Sequence, residues 1–134
     1  MSAQQFEAVL EKTYQHSENF YLHLMGEPLG HPQFKEILDI CEKYSIQTNI
    51  TTNGTLLKKR CDDILNHNVR SVCISLHSFG ANRMNVSLQQ YLEDINDFCT
   101  KALGKKTIIE LRLWNMSSKS LRTLRLVNFQ YSAS

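Results

Sequence analysis

Tyr21-Leu22-His23-Leu24-Met25-Gly26-Glu27-Pro28-Leu29-Gly30-His31-Pro32 reads as a β-strand running into a tight turn and then into a helix. Leucines alternate with polar or larger side chains up to Met25, glycines and prolines punctuate the next residues, and Pro32 suits the first position of a helix. The same plan recurs along the chain. Repeated strand–turn–helix order predicts an α/β fold with a parallel sheet. Ligands gather in such sheets where strands hand over to helices, because helix N-termini and unpaired backbone amides converge there.

Helical periodicity predicts four helices around these strands. The first runs from about Ala3 to His16, with Ser2 as its N-cap, Gln5 as the capping-box partner, and Phe6, Val9, Leu10 and Tyr14 as its apolar stripe. The second starts at Pro32 and turns Phe34, Ile37, Leu38 and Cys41 inward. A third spans roughly Leu57 to Asn66, with Cys61, Ile64 and Leu65 inward. The fourth is capped by Ser87, lined by Leu88, Tyr91, Leu92, Ile95, Phe98, Cys99, Ala102 and Leu103, and ended by Gly104.

Four short strands are expected at Asn19 to Met25, Ile46 to Thr52, Arg70 to Leu76 and Thr107 to Leu113. One face is apolar in each: Phe20, Leu22 and Leu24; Ile46 and Ile50; Val72, Ile74 and Leu76; Ile109, Leu111 and Leu113. The opposite face carries Tyr21, His23, Met25 and Glu27, then Asn49, Thr51 and Asn53, then Cys73, Ser75 and His77, and finally Glu110, Arg112 and Trp114. A flat parallel sheet needs helices on both faces and near-continuously apolar strands, which these are not. Curling the sheet resolves the conflict. The expected architecture is therefore an incomplete (β/α) barrel, a TIM-barrel-like arc of about four parallel strands with its helices outside and a wet, polar-lined hollow within.

Composition narrows the classes. A chain of 134 residues, 42% hydrophobic, supports one modest core and is short for a closed eight-strand barrel of about 250 residues. No apolar run approaches the roughly 20 residues that cross a bilayer, so the expectation is a cytoplasmic protein with no membrane partner. The net charge of +2 conceals an asymmetry: residues 1–100 hold 8 basic and 12 acidic side chains, residues 101–134 hold 7 and 1. The basic residues of the second part fall on unlike elements without interleaved aromatics, which gives no nucleic-acid signature.

Three motifs now stand in order at strand ends: Met25-Gly26-Glu27-Pro28, Thr51-Thr52-Asn53-Gly54 and Ile74-Ser75-Leu76-His77-Ser78. Together they resemble the radical S-adenosylmethionine (SAM) superfamily, over roughly Ser2 to Asn115. The resemblance implies a partial (β/α) barrel of which this chain supplies strands two to five. It implies that Gly26 and Glu27 bind the SAM amino group, with Met25 in place of the family's first glycine, and that Ser75 contacts the ribose while Asn53 adds a polar contact. Arg112 is the candidate for the SAM carboxylate, which a guanidinium fork suits. His23 and His77 would face the substrate, a small molecule or peptide; many relatives carry Ser-Leu-Asp-Gly where this chain has Ser75-Leu76-His77-Ser78.

Plainer readings stand beside these. Glu27 can cap the turn before the second helix, and Asn53-Gly54 is a common turn pair. Glu110 and Arg112 share a strand face and can neutralise each other. His23 and His77, on separate strands, fit hydrogen-bonded barrel residues better than metal ligands, so no metal site is assigned.

One family element has no counterpart. The family reaction uses a 4Fe-4S cluster held by a CxxxCxxC loop, whereas Cys41, Cys61, Cys73 and Cys99 are separated by 20, 12 and 26 residues. Three of them sit on helix apolar stripes, as structural thiols do. The expectation is thus a fragment or truncated form of a radical SAM enzyme, whose complete form cleaves SAM reductively at the cluster and abstracts hydrogen from a substrate. The chain itself is expected to carry no catalytic residue, to hold no cluster and to be inactive. The alternative is a non-catalytic nucleotide-binding or interaction module derived from the same fold. Residues 1–116 are expected to form the core and residues 117–134, with five serines and no acidic group, a loosely ordered basic tail. An arc without its first and last strands leaves two parallel edges, which predicts self-association.

Overall fold

The computed structural model describes residues 1–22, 26–76, 86–114 and 121–126, with backbone alone for Trp114 and residues 121–126. Four helices, α1 (Ala3–Thr13), α2 (Phe34–Lys43), α3 (Leu57–Leu65) and α4 (Leu88–Ala102), alternate with strands β1 (Asn19–Leu22), β2 (Gln47–Thr52), β3 (Val69–Ser75) and β4 (Ile108–Trp114), and β5 (Leu121–Leu126) follows. The strands form one sheet in the order β1-β2-β3-β4-β5. β1 to β4 run parallel. The sheet is open, an α/β fold of the partial-barrel type.

Local sequence explains the helix starts. Ser2 Oγ accepts from Gln5 N at 3.2 Å while Ser2 N donates to Gln5 Oε1 at 2.8 Å, a complete capping box on α1. Ser87 Oγ accepts from Gln90 N at the start of α4. Two boundaries differ from expectation. α1 stops at Thr13 and tightens into a 3₁₀ turn over Tyr14–His16. α2 starts at Phe34 instead of Pro32, because Pro28–Gly30 forms its own 3₁₀ turn and His31 takes an extended conformation before the helix.

The helices bury most of their stripes against the apolar face of the sheet, but Val9, Tyr14, Leu88, Leu92 and Leu103, expected in those stripes, are exposed at the margins of the helical layer. Phe34 and Leu38 of α2, Leu57, Cys61 and Ile64 of α3, and Tyr91, Ile95, Phe98 and Ala102 of α4 pack with Ile50, Val72, Ile74 and Ile109. Ala3, Phe6 and Leu10 of α1 pack with Ile37, Cys41 and Ile46, and the Phe6 ring meets Phe20 edge-on at 5.4 Å. The expected one-sided helical layer is what the core shows.

Two features of the sheet lie outside the expectation. The pairing shifts register between Thr48 and Asn49, which pair with Val69 and Ser71, so Arg70 is an extra residue and Val69 joins Val72 in the core. The second is β5, antiparallel to β4 from Trp114 opposite Leu121 to Ile109 opposite Leu126. It falls within the stretch expected to be a loose tail, and it corrects the expectation of two parallel edges: β4 is covered, leaving β1 and the antiparallel β5 at the margins. The physical reason is the unpaired backbone that β4 offers, which a following strand satisfies whatever its composition.

Candidate functional site

The junction after β1 is built around Gly26 and Glu27. Gly26 has φ +92°, and a Cβ there meets nothing within 4 Å, so backbone conformation and not space calls for glycine. The Glu27 carboxylate is a hub. Its Oε1 accepts from Leu29 N at 3.2 Å, capping the Pro28–Gly30 turn, and from Thr52 Oγ1 at 2.6 Å; its Oε2 accepts from Asn53 N at 2.7 Å. The plainer reading of Glu27 as a cap is therefore realised, and the same carboxylate ties the first motif to the second.

Asn53 and Gly54 turn the chain from β2 toward α3. Asn53 Oδ1 accepts from Thr55 N at 2.9 Å, the local bond by which asparagine shapes a turn. Its carbonyl accepts from the Tyr91 hydroxyl of α4 at 2.7 Å. Burial, with the Glu27 charge adding to it, pushes the Tyr91 phenol up to about 12. Gly54 has φ +81°, and an added Cβ lands 3.0 Å from Ile74 Cγ2 and 3.1 Å from the Tyr91 oxygen, so glycine is required there twice over.

Arg60 of α3, which no sequence signal singled out, fixes the junction from outside. Its Nε donates to the Leu29 carbonyl at 3.1 Å and a terminal nitrogen to the His31 carbonyl at 3.0 Å, while the guanidinium lies 5.5 Å from the Phe34 ring centre. The helical spacing marked Cys61 and Ile64 on α3 but gave no reason to look at its neighbour.

Across the polar face the side chains stand in three rows set by the register. Tyr21, Asn49, Ser71 and Ile108 form the first; Thr51, Cys73 and Glu110 the second; Ser75 and Arg112 the third, nearest the strand ends. A cavity of about 380 Å³ opens among them, lined by residues that include Asn49, Thr51, Ser71, Cys73, Glu110 and Arg112. Ser71 Oγ donates to Asn49 Oδ1 at 2.7 Å, whereas Asn49 Nδ2 and Arg112 Nε are buried without a hydrogen-bond partner among the described residues. Burial raises the Cys73 thiol, with Arg112 pulling it down and Glu110 up by smaller amounts.

Of the residues predicted to bind a cofactor, the structure joins Glu27 to Asn53, with Gly26 next in the chain, and sets Ser75 opposite Arg112. His23 and His77 lie outside the described residues. The four cysteines do not converge. Cys41, Cys61 and Cys99 belong to the core on the helical side, and Cys73 faces the cavity on the other. Among the described residues no group of three or more His, Cys, Asp or Glu side chains is placed to hold a metal ion. A 4Fe-4S cluster therefore has no fitting ligand set in these residues. No helix among the described residues is long and apolar enough to cross a membrane.

Fold and site together define an open, one-sided α/β sheet whose exposed face is a polar hollow beneath strand-end turns. The crystal structure of archaeal TYW1 is similar at 20% sequence identity and a TM-score of 0.49, with 84% of this chain and 51% of that chain covered. This chain thus spans about half the length of that structure. No family model and no curated protein matches it.

Proposed function

We propose that this chain is the central part of a radical SAM partial barrel and that, by itself, it binds SAM without cleaving it. The observation carrying this reading is the meeting of motifs at adjacent strand ends: the Glu27 carboxylate bonded to Thr52 and Asn53, one strand away from Ser75 opposite Arg112. The resemblance named three motifs, and packing brings them to one end of the sheet, where parallel α/β folds bind ligands.

SAM fits the donors and acceptors there. Glu27 has three bonds on a carboxylate with about four lone-pair sites, so one remains for the ammonium group beside the Gly26 turn. Ser75 serves the ribose hydroxyls, Asn53 adds a polar contact, and the Arg112 guanidinium takes the carboxylate. The substrate of the complete enzyme is a small molecule or peptide. In that enzyme a 4Fe-4S cluster held by residues outside those described here would supply the electron for reductive cleavage of SAM. The described residues of this chain hold and orient SAM and nothing further.

Isothermal titration of the full chain with SAM and with S-adenosylhomocysteine tests the reading. Saturable SAM binding that Ser75→Ala and Arg112→Met each weaken at least threefold supports it. Absence of binding at millimolar SAM, by a chain shown folded by circular dichroism, overturns it.

A further inference from the structure

Glu27 offers its carboxylate to the ligand from the start of a very short element. Pro28–Gly30 is one 3₁₀ turn, closed by Gly30 N on the Glu27 carbonyl at 3.0 Å and by His31 N on the Pro28 carbonyl at 3.1 Å. A single turn of three residues does not hold its own geometry, because two bonds scarcely offset the ordering of its backbone. Its shape must be imposed from outside. The Glu27 carboxylate pins the start of the turn to Thr52 and Asn53 at the end of β2. The far end meets Arg60.

All three guanidinium nitrogens of Arg60 have fixed partners. Nε donates to the Leu29 carbonyl at 3.1 Å, one terminal nitrogen to the His31 carbonyl at 3.0 Å and the other to Asp63 Oδ2 at 3.1 Å, and the side chain is only 16% exposed. A planar fork that grips two carbonyls of one turn sets both its distance and its direction, which the point charge of a lysine cannot do. Arg60 belongs to α3, which begins just after the Asn53-Gly54 turn. A closed circuit results: Glu27 to Asn53, Asn53 along the chain to Arg60, and Arg60 back to the residues that follow Glu27. We propose that Arg60 is the positioning residue for ammonium recognition. It touches no ligand; it holds the Glu27 carboxylate where one lone-pair site stays available, as supporting contacts do for groups that meet a ligand. The identity of the ligand rests on the SAM reading, whereas the hold on Glu27 rests on the circuit alone.

Nuclear magnetic resonance on the ¹⁵N-labelled full chain tests this, following the Asn53 amide, which reports the Glu27 carboxylate through a 2.7 Å bond. SAM is compared with 5′-methylthioadenosine, which keeps the nucleoside and lacks the ammonium and carboxylate groups. Without ligand, Arg60→Lys is expected to move the Asn53 amide signal in the direction that Glu27→Gln moves it. With ligand, Arg60→Lys should weaken SAM about tenfold, as for a misplaced charge-assisted hydrogen bond, and methylthioadenosine by no more than about twofold. A general loosening of the fold would weaken both alike. An Asn53 amide unmoved by Arg60→Lys, or equal weakening of the two nucleosides, overturns the proposal. If Arg60→Lys does not fold, hydrogen exchange in the wild type decides: joint loss of protection at the Arg60 Nε–H and the Asn53 amide supports the proposal, and free exchange at Arg60 with Asn53 still protected overturns it. A wild-type chain that binds no SAM refutes the SAM reading, while the ligand-free Asn53 comparison still judges Arg60.

Discussion

Glu27 shows how one carboxylate can organise a junction. Three donors from two chain segments converge on it, and two of them, on Leu29 and Asn53, are backbone amides. Replacing Glu27 with Gln sets an amide NH₂ against one of those donors, so Glu27→Gln should lower stability by about 1.5 to 3 kcal/mol, measured by urea unfolding. The pairing of Tyr91 with the Asn53 carbonyl gives a second residue-scale outcome, in pH. The folded phenol stays protonated up to about 12, above the ordinary value of 10.0, so unfolding gains from ionisation once pH passes 10. Stability should therefore fall between pH 10 and 12, and Tyr91→Phe should fall less steeply there while being less stable at neutral pH. Residue type was legible in the sequence at both places, since Gly-Glu-Pro and Asn-Gly announce turns. The partners were not legible, because Thr52, Tyr91 and Arg60 reach these turns from elements that only the packed fold brings near.

The elements themselves follow local rules wherever a cap or an amphipathic stripe is strong. α4 begins where Ser87 can accept from Gln90 N and ends at Ala102, two residues before Gly104, which has φ +78°. Ser87→Ala should destabilise the chain by about 1 kcal/mol, seen as a lower urea midpoint with an unchanged slope. Local rules fail where the sheet decides. Alternation over Arg70 to Leu76 assigns faces correctly from Ser71 onward, but the extra residue Arg70 puts Val69 into the core, out of step. A bulge is chosen by the pairing of two strands, and neither strand carries its signature alone. Thr48 and Thr52 are buried among apolar residues for a similar reason: their hydroxyls reach the Asn68 carbonyl and the Glu27 carboxylate, partners set by tertiary structure.

At the scale of the molecule, helices cover one face of the sheet and the other is left polar. The face assignments were legible in the sequence because four strands alternate; the fifth strand was not, because its residues pair with an edge that no local pattern describes. The two-sided plan also decides what the cysteines can do. Cys41, Cys61 and Cys99 are packed among helices, burial pushes the Cys41 thiol up to about 12 and raises the others, and the sheet separates all three from Cys73. A cluster needs three thiolates within one small loop's reach, whereas these thiols are held protonated and on opposite sides of a packed layer. Anaerobic incubation of the full chain with iron and sulfide should thus leave less than stoichiometric iron after desalting, with no broad absorbance near 400 nm. Unfolding first in urea should make all four thiols reactive toward a chromogenic disulfide, while the native chain should react slowly. A stoichiometric cluster on folded protein would mean that the thiols can cross the sheet, and the layered packing described above would then have to be abandoned.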